Sequence, residues 1–418
     1  MKTYPLSQSQ LGIYLEDIQH PESMQYNLPR YFHFSKNTDT EKLKRAILSV
    51  MDTYPVFHTR LITQNGELRQ YPDYDLRIDI PVIQVAEEEV EQRISQFIRP
   101  FDFQKDALSR FLLIETPKSL YLVCDIHHII LDGSNYQLLA DYISLAYNGE
   151  SLPKEQISLH EYAEQEELTF RTSAYEQAAT HYKEKFENVA MTKLSQKNNN
   201  EGYVIRRSAF VSKELINDFC VKEGVKPSWL FMAAFSITLS KFTREETIAY
   251  TTINHGRHDK SLLKSFGMFV KTVPILTKID KRQSVIDFIK SHQEELASTR
   301  SYGVYPFSHL CQQIGIKPEL TFGFQGSQVK EEYSFLGENV KMDRLLGSGL
   351  STQNPSILIY ETTTEYDIRL KYVESQYEDG YMQQFADAMA TCVEQLVASP
   401  NKLLKDISIV SDAEQQKL

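Results

Sequence analysis

Apolar residues recur along this chain with two periods, and the two alternate. Over 38–51, TDTEKLKRAILSVM, residues Leu43, Ala46, Ile47, Val50 and Met51 fall on one face at helical spacing. An amphipathic helix is predicted there, with Thr38 and Glu41 at capping-box spacing. PVFHTRLIT and ELRQY then read as paired strands turned at Asn65–Gly66, a dipeptide suited to tight hairpins. Residues 111–115 and 121–126 read as a second hairpin turned at TPKS, and 134–147 as a helix that starts near Ser134 or Asn135. The polar segment 191–202 reads as an exposed connection. Beyond it a similar order returns. SKELINDFCVKEG and the nearly all-apolar PSWLFMAAFSITLSKF are helices, TIAYTTIN is a strand, and RQSVIDFIKSHQEELA is a further amphipathic helix. SILIYETTTEYDIRLKYVESQ alternates as a long hairpin, and a last amphipathic helix stops before Pro400. The order recurs; the residues do not. The expected class is mixed α/β (α+β).

Length changes the picture by splitting it. A chain of 418 residues exceeds one ordinary core and suits two lobes of about 200 residues each. Hydrophobic residues at 41% and charged residues at 24% fit a soluble globular protein. The net charge of −11 argues against nucleic acid or an anionic membrane as the main partner. The longest apolar run, 229–239, is too short and too polar at its ends to span a bilayer. The opening MKTYPLSQSQ has no signal-peptide core. Cys124, Cys220, Cys311 and Cys392 lie far apart with no CxxC pair, which suits reduced cysteines in a cytoplasmic protein better than disulfides or zinc. No Gly-rich phosphate loop is present.

Chemistry concentrates at 125–134, DIHHIILDGS, on the loop between a strand and a helix. A metal site is disfavoured, because adjacent histidines on a strand point to opposite faces and no third ligand is suggested nearby. A pair of core histidines is the plain alternative. A catalytic reading accounts for more of the residues. Ile129, Ile130 and Leu131 anchor the loop, and His128 stands at a cleft wall, desolvated enough to stay neutral near pH 7. Asp132 suits either a His–Asp relay or a buried ion pair with an arginine. Gly133 permits positive φ or a close approach of substrate to its amide.

These residues resemble a known family. His127-His128-x-x-x-Asp132-Gly133 is similar to the HHxxxDG motif of condensation domains of non-ribosomal peptide synthetases, within the chloramphenicol-acetyltransferase-like superfamily. YPLSQSQLGIY resembles the family's opening motif, with Ser7 and Gln10 in place. YPVFHTRL resembles the second, with Arg60 on its arginine, and SLHEYA the tyrosine-containing fourth. FGMFVKTVP resembles GxFVNT, YGVYPFSHL the Pro-Phe motif, and ELTFGFQGS sits where the last motif is expected. The chain departs from the pattern at Gly12, Lys271 and Ser308, where the family has arginine, asparagine and an acidic residue.

The resemblance implies two acetyltransferase-like lobes arranged as a V around a central tunnel. It places an N-terminal lobe at 1–180 and a C-terminal lobe at 181–418, with crossover segments from the second to the first. At 405–418 it implies the start of a linker toward an adenylation domain, and so a domain excised from a longer synthetase and monomeric on its own. The implied reaction is amide formation between an upstream carrier-bound acyl or peptidyl thioester and the amine of a downstream carrier-bound aminoacyl thioester. No cofactor or metal is expected on the domain itself; the substrates ride on phosphopantetheine arms of partner carrier domains. His128 and the Gly133 amide are the implied catalytic groups. His127, Asp132, Arg257 and Arg60 are the implied supports, with Arg257 preferred over Arg60 as the partner of Asp132. His255 and His258 are expected at the surface. Three other functions share parts of this pattern: an epimerization domain, a coenzyme A acyltransferase and a non-catalytic recruitment domain.

Overall fold

Two units, each with its own apolar core, divide the chain in a computed structural model that describes residues 2–197, 202–326, 332–344, 350–351 and 354–410. Unit 1 takes the chain up to Thr169 and adds His255–Lys271 and the hairpin of strands Glu332–Phe335 and Glu338–Arg344. Unit 2 holds the rest. Both are mixed α/β. The division falls at Thr169, ahead of residue 180, because helix Ser173–Phe186 runs through 180 and packs with unit 2, burying Ala178, Tyr182 and Phe186 against Leu310.

In unit 1 the sheet order is Glu332–Phe335, Glu338–Arg344, Arg30–Ser35, Ser119–Ile126, Ser109–Glu115, Val82–Gln84. Helices Thr40–Thr53 and Asn135–Tyr147 share one core with it, through Leu43, Ile47, Val50, Leu139 and Ile143 against Phe32, Phe34 and Leu122. The helical stripe is thus as predicted, but its cap is Asp39, whose side chain accepts from Lys42 N at 2.9 Å. Thr38 is already used by a turn, its amide on Ser35 O at 3.2 Å. The hairpin turn carries Asn65 at φ 54° and Gly66 at φ 83°. Its first strand begins only at Thr59, because Pro55–His58 forms a 3-10 turn that Pro55 opens with its fixed φ. Ser7 and Gln10, prominent in the opening motif, form the capping box of helix Gln8–Asp17.

In unit 2 the sheet order is Lys271–Lys278, Thr247–Asn254, Thr321–Gly326, Ser356–Glu361, Glu365–Val373, Gly202–Ser212, Leu350–Ser351. Helices Pro227–Thr243, Val285–Ser301 and Tyr381–Ala398 pack on one face. Leu404 and Ile407 pack into that core, so the chain expected to leave as a linker from 405 is still part of the unit there. Residues 411–418 of that segment, and 198–201 of the expected connection, lie outside the described residues. Among the described residues no helix is long and apolar enough to cross a membrane.

Candidate functional site

His128 is placed by a strand held on both edges. Ser119–Ile126 pairs with Arg30–Ser35 on one side and Ser109–Glu115 on the other. Past Ile126 the backbone leaves the ladder and its neighbours catch it. His127 N donates to Leu108 O at 2.9 Å and His128 N to Tyr26 O at 2.7 Å. Ile129, Ile130 and Leu131 are fully buried, and Gln10 Nε2 donates to Ile129 O at 3.1 Å. The loop is therefore rigid by packing and by hydrogen bonds at once.

The adjacent histidines differ. His127 is sealed, with Phe101 and Phe103 ring centroids 5.4 and 5.0 Å away. Its Nδ1 accepts from Ile129 N at 3.1 Å, so Nε2 carries the proton and faces Asp17 Oδ2 at 3.4 Å. Burial pushes its pKa down while Asp17 opposes. His128 is half-buried, and its Nδ1 makes no well-formed hydrogen bond among the described residues. Burial pushes its pKa below the ordinary histidine value, against the Asp132 charge, so the ring is neutral at pH 7.

Asp132 is fully buried and fully paired. Oδ1 accepts from Ser134 N at 3.1 Å and Ser134 Oγ at 2.6 Å; Oδ2 accepts from Arg257 Nη1 at 2.6 Å and Phe269 N at 3.2 Å. Arg257 Nη2 reaches Asn135 Oδ1 at 2.9 Å and Gly267 O at 3.2 Å, and the guanidinium lies 4.7 Å over the Phe269 ring. A relay to His128 is not what this carboxylate is built for: its donors are the arginine, two amides and a hydroxyl. A buried pair with its remaining lone pairs satisfied is the geometry in which such a pair holds a loop.

Arg60 does not reach Asp132. Strand Thr59–Gln64 carries it to Asp73, with Nε 3.7 Å from Oδ2, and to the Asp106 carbonyl at 3.2 Å from Nη1. Gly133 is not in the left-handed region, so the positive-φ expectation does not hold. A Cβ placed on it would meet nothing within 4 Å, which leaves open space beside its amide. His255 is half-buried, not a surface residue, and its Nδ1 accepts from Arg257 N at 3.0 Å; His258 is exposed. The structure thus brings His127, His128, Asp132, Gly133 and Arg257 into one unit.

Sequence reasoning missed Asp17, Asn135, Gly256 and Phe269. Gly256 has φ 70°, and a Cβ there would overlap the Phe269 carbonyl. Its place before Arg257 was the available signal. Lys271, at the family's asparagine position, puts Nζ 2.9 Å from Glu166 Oε1. Burial alone would lower its pKa, but Glu166 and Tyr162 raise it above the ordinary lysine value.

The comparisons with known proteins agree with this geometry. The family model described as Condensation domain matches residues 1–418. The chain is 23% identical over 433 residues to gramicidin S synthase 2 of Aneurinibacillus migulanus, covering 99% of this chain and 10% of that protein. It is 22% identical over 441 residues to surfactin synthase subunit 2 of Bacillus subtilis, covering 99% and 12%. It therefore spans about a tenth of these relatives. Its fold is that of the starter condensation domain of rhizomide synthetase (TM-score 0.83, 17% identity, 98% of each chain). It is equally that of the first condensation domain of the calcium-dependent antibiotic synthetase (TM-score 0.82, 14% identity, 98% of this chain and 99% of that one). With the family matched from end to end and HHxxxDG set in a clamped loop, this chain belongs to the condensation-domain family of non-ribosomal peptide synthetases.

Proposed function

We propose that this chain forms an amide bond between two carrier-borne thioesters. The observation that carries the reading is the state of His128: a half-buried imidazole, kept neutral by desolvation, on a loop whose other polar side chains are already committed. The amine of the downstream aminoacyl thioester attacks the carbonyl of the upstream one. The C–N bond forms, the C–S bond breaks, and the departing thiolate takes a proton.

Two roles suit His128. As a general base it accepts the amine proton, worth roughly 10²–10⁴ in rate. As an electrostatic support it stabilises the tetrahedral zwitterion. The Gly133 amide, beside open space, serves the developing oxyanion. A thioester is already activated, so holding two tethered substrates together contributes up to about 7–11 kcal/mol. The domain needs no cofactor of its own on this reading. Phosphopantetheine arms on upstream and downstream carrier domains bring both substrates, and an adenylation domain loads the acceptor.

The test is a loaded donor carrier and a loaded acceptor carrier incubated with the chain. Dipeptide on the acceptor arm is expected, and its loss in His128→Ala with the melting temperature unchanged. Deuterium exchange at the α-carbon without an acceptor would replace this reading with epimerization. Transfer from a free coenzyme A thioester would replace it with a coenzyme A acyltransferase. Tight binding of a partner protein with no turnover would replace it with recruitment.

A further inference from the structure

Helix Gln8–Asp17 reaches the 127–129 loop from both of its ends. Near its start, Gln10 Nε2 donates to Ile129 O at 3.1 Å. At its end stand two consecutive acids, Glu16 and Asp17, about 100° apart around the axis, so each meets a different neighbour. Glu16 Oε2 accepts the Tyr26 hydroxyl, and the Tyr26 carbonyl takes the His128 amide at 2.7 Å. Asp17 Oδ2 lies 3.4 Å from His127 Nε2, and Nδ1 of the same ring accepts from Ile129 N at 3.1 Å. His128 is therefore held at its own amide and at both backbone groups of the residue that follows it.

The two acids oppose the dipole of their own helix. The C-terminal end is the negative pole, so a last turn favours cations, and this one holds none. Asp17 is only 6% exposed, and a carboxylate taken out of water costs free energy unless donors reach it. The donor it faces is the His127 ring, closed in by Phe101 and Phe103. Ile129 N fixes the other nitrogen of that ring, so Nε2–H faces Asp17 in a single tautomer. Burial, then Glu16, push the Tyr26 pKa up, so its hydroxyl remains a donor to Glu16. Helix stability explains neither acid; the placement of the loop explains both.

We propose that this helix is a positioning device for His128, with Asp17 as its principal positioning residue, acting through His127 and Ile129. Glu16 acts through Tyr26 and contributes less, because it is exposed and water competes for it. The consequence for rate rests on the amide-forming reading above; the placement of the ring stands apart from it.

Two readouts on the full chain test this. Dipeptide formation from loaded carriers gives kcat and a KM for each carrier. The ring resonance of His128, in protein labelled with heavy-nitrogen histidine and assigned through His128→Ala, reports where the ring sits. Asp17→Ala lowers kcat about tenfold to a hundredfold, the loss that a misplacement of about 1 Å brings. Both KM values stay within about twofold, and the His128 resonance moves. The melting temperature changes little, since stranding the His127 N–H is offset by removing a carboxylate from the negative end of the helix. Asp17→Asn, which returns an acceptor oxygen, recovers most of the lost kcat. An unchanged kcat in Asp17→Ala, a loss no greater than its loss of folded protein, or a loss confined to KM overturns the proposal. So does an Asp17→Asn variant as slow as Asp17→Ala. Where Asp17→Ala does not fold, Tyr26→Phe keeps the test open: kcat falls about threefold and the His128 resonance moves, and wild-type values for both overturn the proposal. A moved resonance in Asp17→Ala with no dipeptide from the wild-type chain leaves the positioning role standing and removes the amide-forming reading. Dipeptide from the wild-type chain, with an unchanged kcat in Asp17→Ala, does the reverse.

Discussion

Each unit contains a histidine near polar groups, and the two differ in access. In unit 2, Ser236 Oγ lies 3.2 Å from His292 Nε2 and 3.2 Å from Tyr250 OH, with His292 Nδ1 3.0 Å from Phe288 O. On paper that is a serine, a base and an orienting carbonyl. In the fold it is closed: Ser236, Tyr250 and His292 are all buried, and the side-chain polar atoms of these three residues have partners. In unit 1, His128 is half-buried rather than sealed, and a Cβ placed on Gly133 would meet nothing within 4 Å. Proximity of a hydroxyl to an imidazole does not make a site; access does.

The largest break in this comparison is His128→Ala. Amide formation falls by about 10²–10⁴ with the melting temperature held, as single-turnover dipeptide assays and thermal melts will read. An unchanged rate in the folded variant removes His128 from the chemistry. Next comes Asp132→Ala, which strands the Arg257 charge and costs about 3–5 kcal/mol in denaturant unfolding. No loss of stability would mean the clamp does not hold the loop. Gly133→Ala sharpens the point about space: the variant folds normally, yet its turnover drops, because the added methyl occupies the opening rather than the core.

His292→Leu is the control from the other unit. It acts on stability, by about 1–3 kcal/mol for the polar groups it strands, and leaves turnover alone. It also has a pH signature. Burial holds the His292 pKa near 4 in the fold, so between the ordinary value of about 6.5 and that level the unfolded chain binds more protons. Stability is full above this window and declines as pH falls through it. The variant flattens part of that slope; His160, also held near 4 by burial, and His127 and His128, likewise lowered by burial, keep the slope from vanishing. The smallest effect is on rate against pH. With the His128 pKa lowered by burial, the acid-side fall in turnover sets in at lower pH than for an ordinary histidine, if the ring acts as a base.

Much of the helix and strand order was legible because periodicity reports which face is buried. The stripe of Leu43, Ala46, Ile47, Val50 and Met51 needed no neighbour to be recognised, and neither did the strand at Thr247–Asn254. Local competition was harder to read. Asp39 displaced Thr38 as the cap, and Pro55 turned the start of a predicted strand into a 3-10 helix. Strand Arg30–Ser35 went unpredicted, although its burial alternates at Phe32 and Phe34.

The site divides along the same line. The chain order alone put His127, His128, Asp132 and Gly133 on one loop, since all four lie within seven residues of each other and their spacing is itself the motif. Everything that makes the loop rigid arrives from elsewhere. Arg257 and Phe269 come from a segment that joins unit 1 from beyond unit 2's first stretch, and Asp17 comes from the first helix. Local sequence carries propensity and short-range spacing. Which charge ends up in a low-dielectric interior beside which carboxylate is decided only when segments far apart in the chain are packed together and their water is removed.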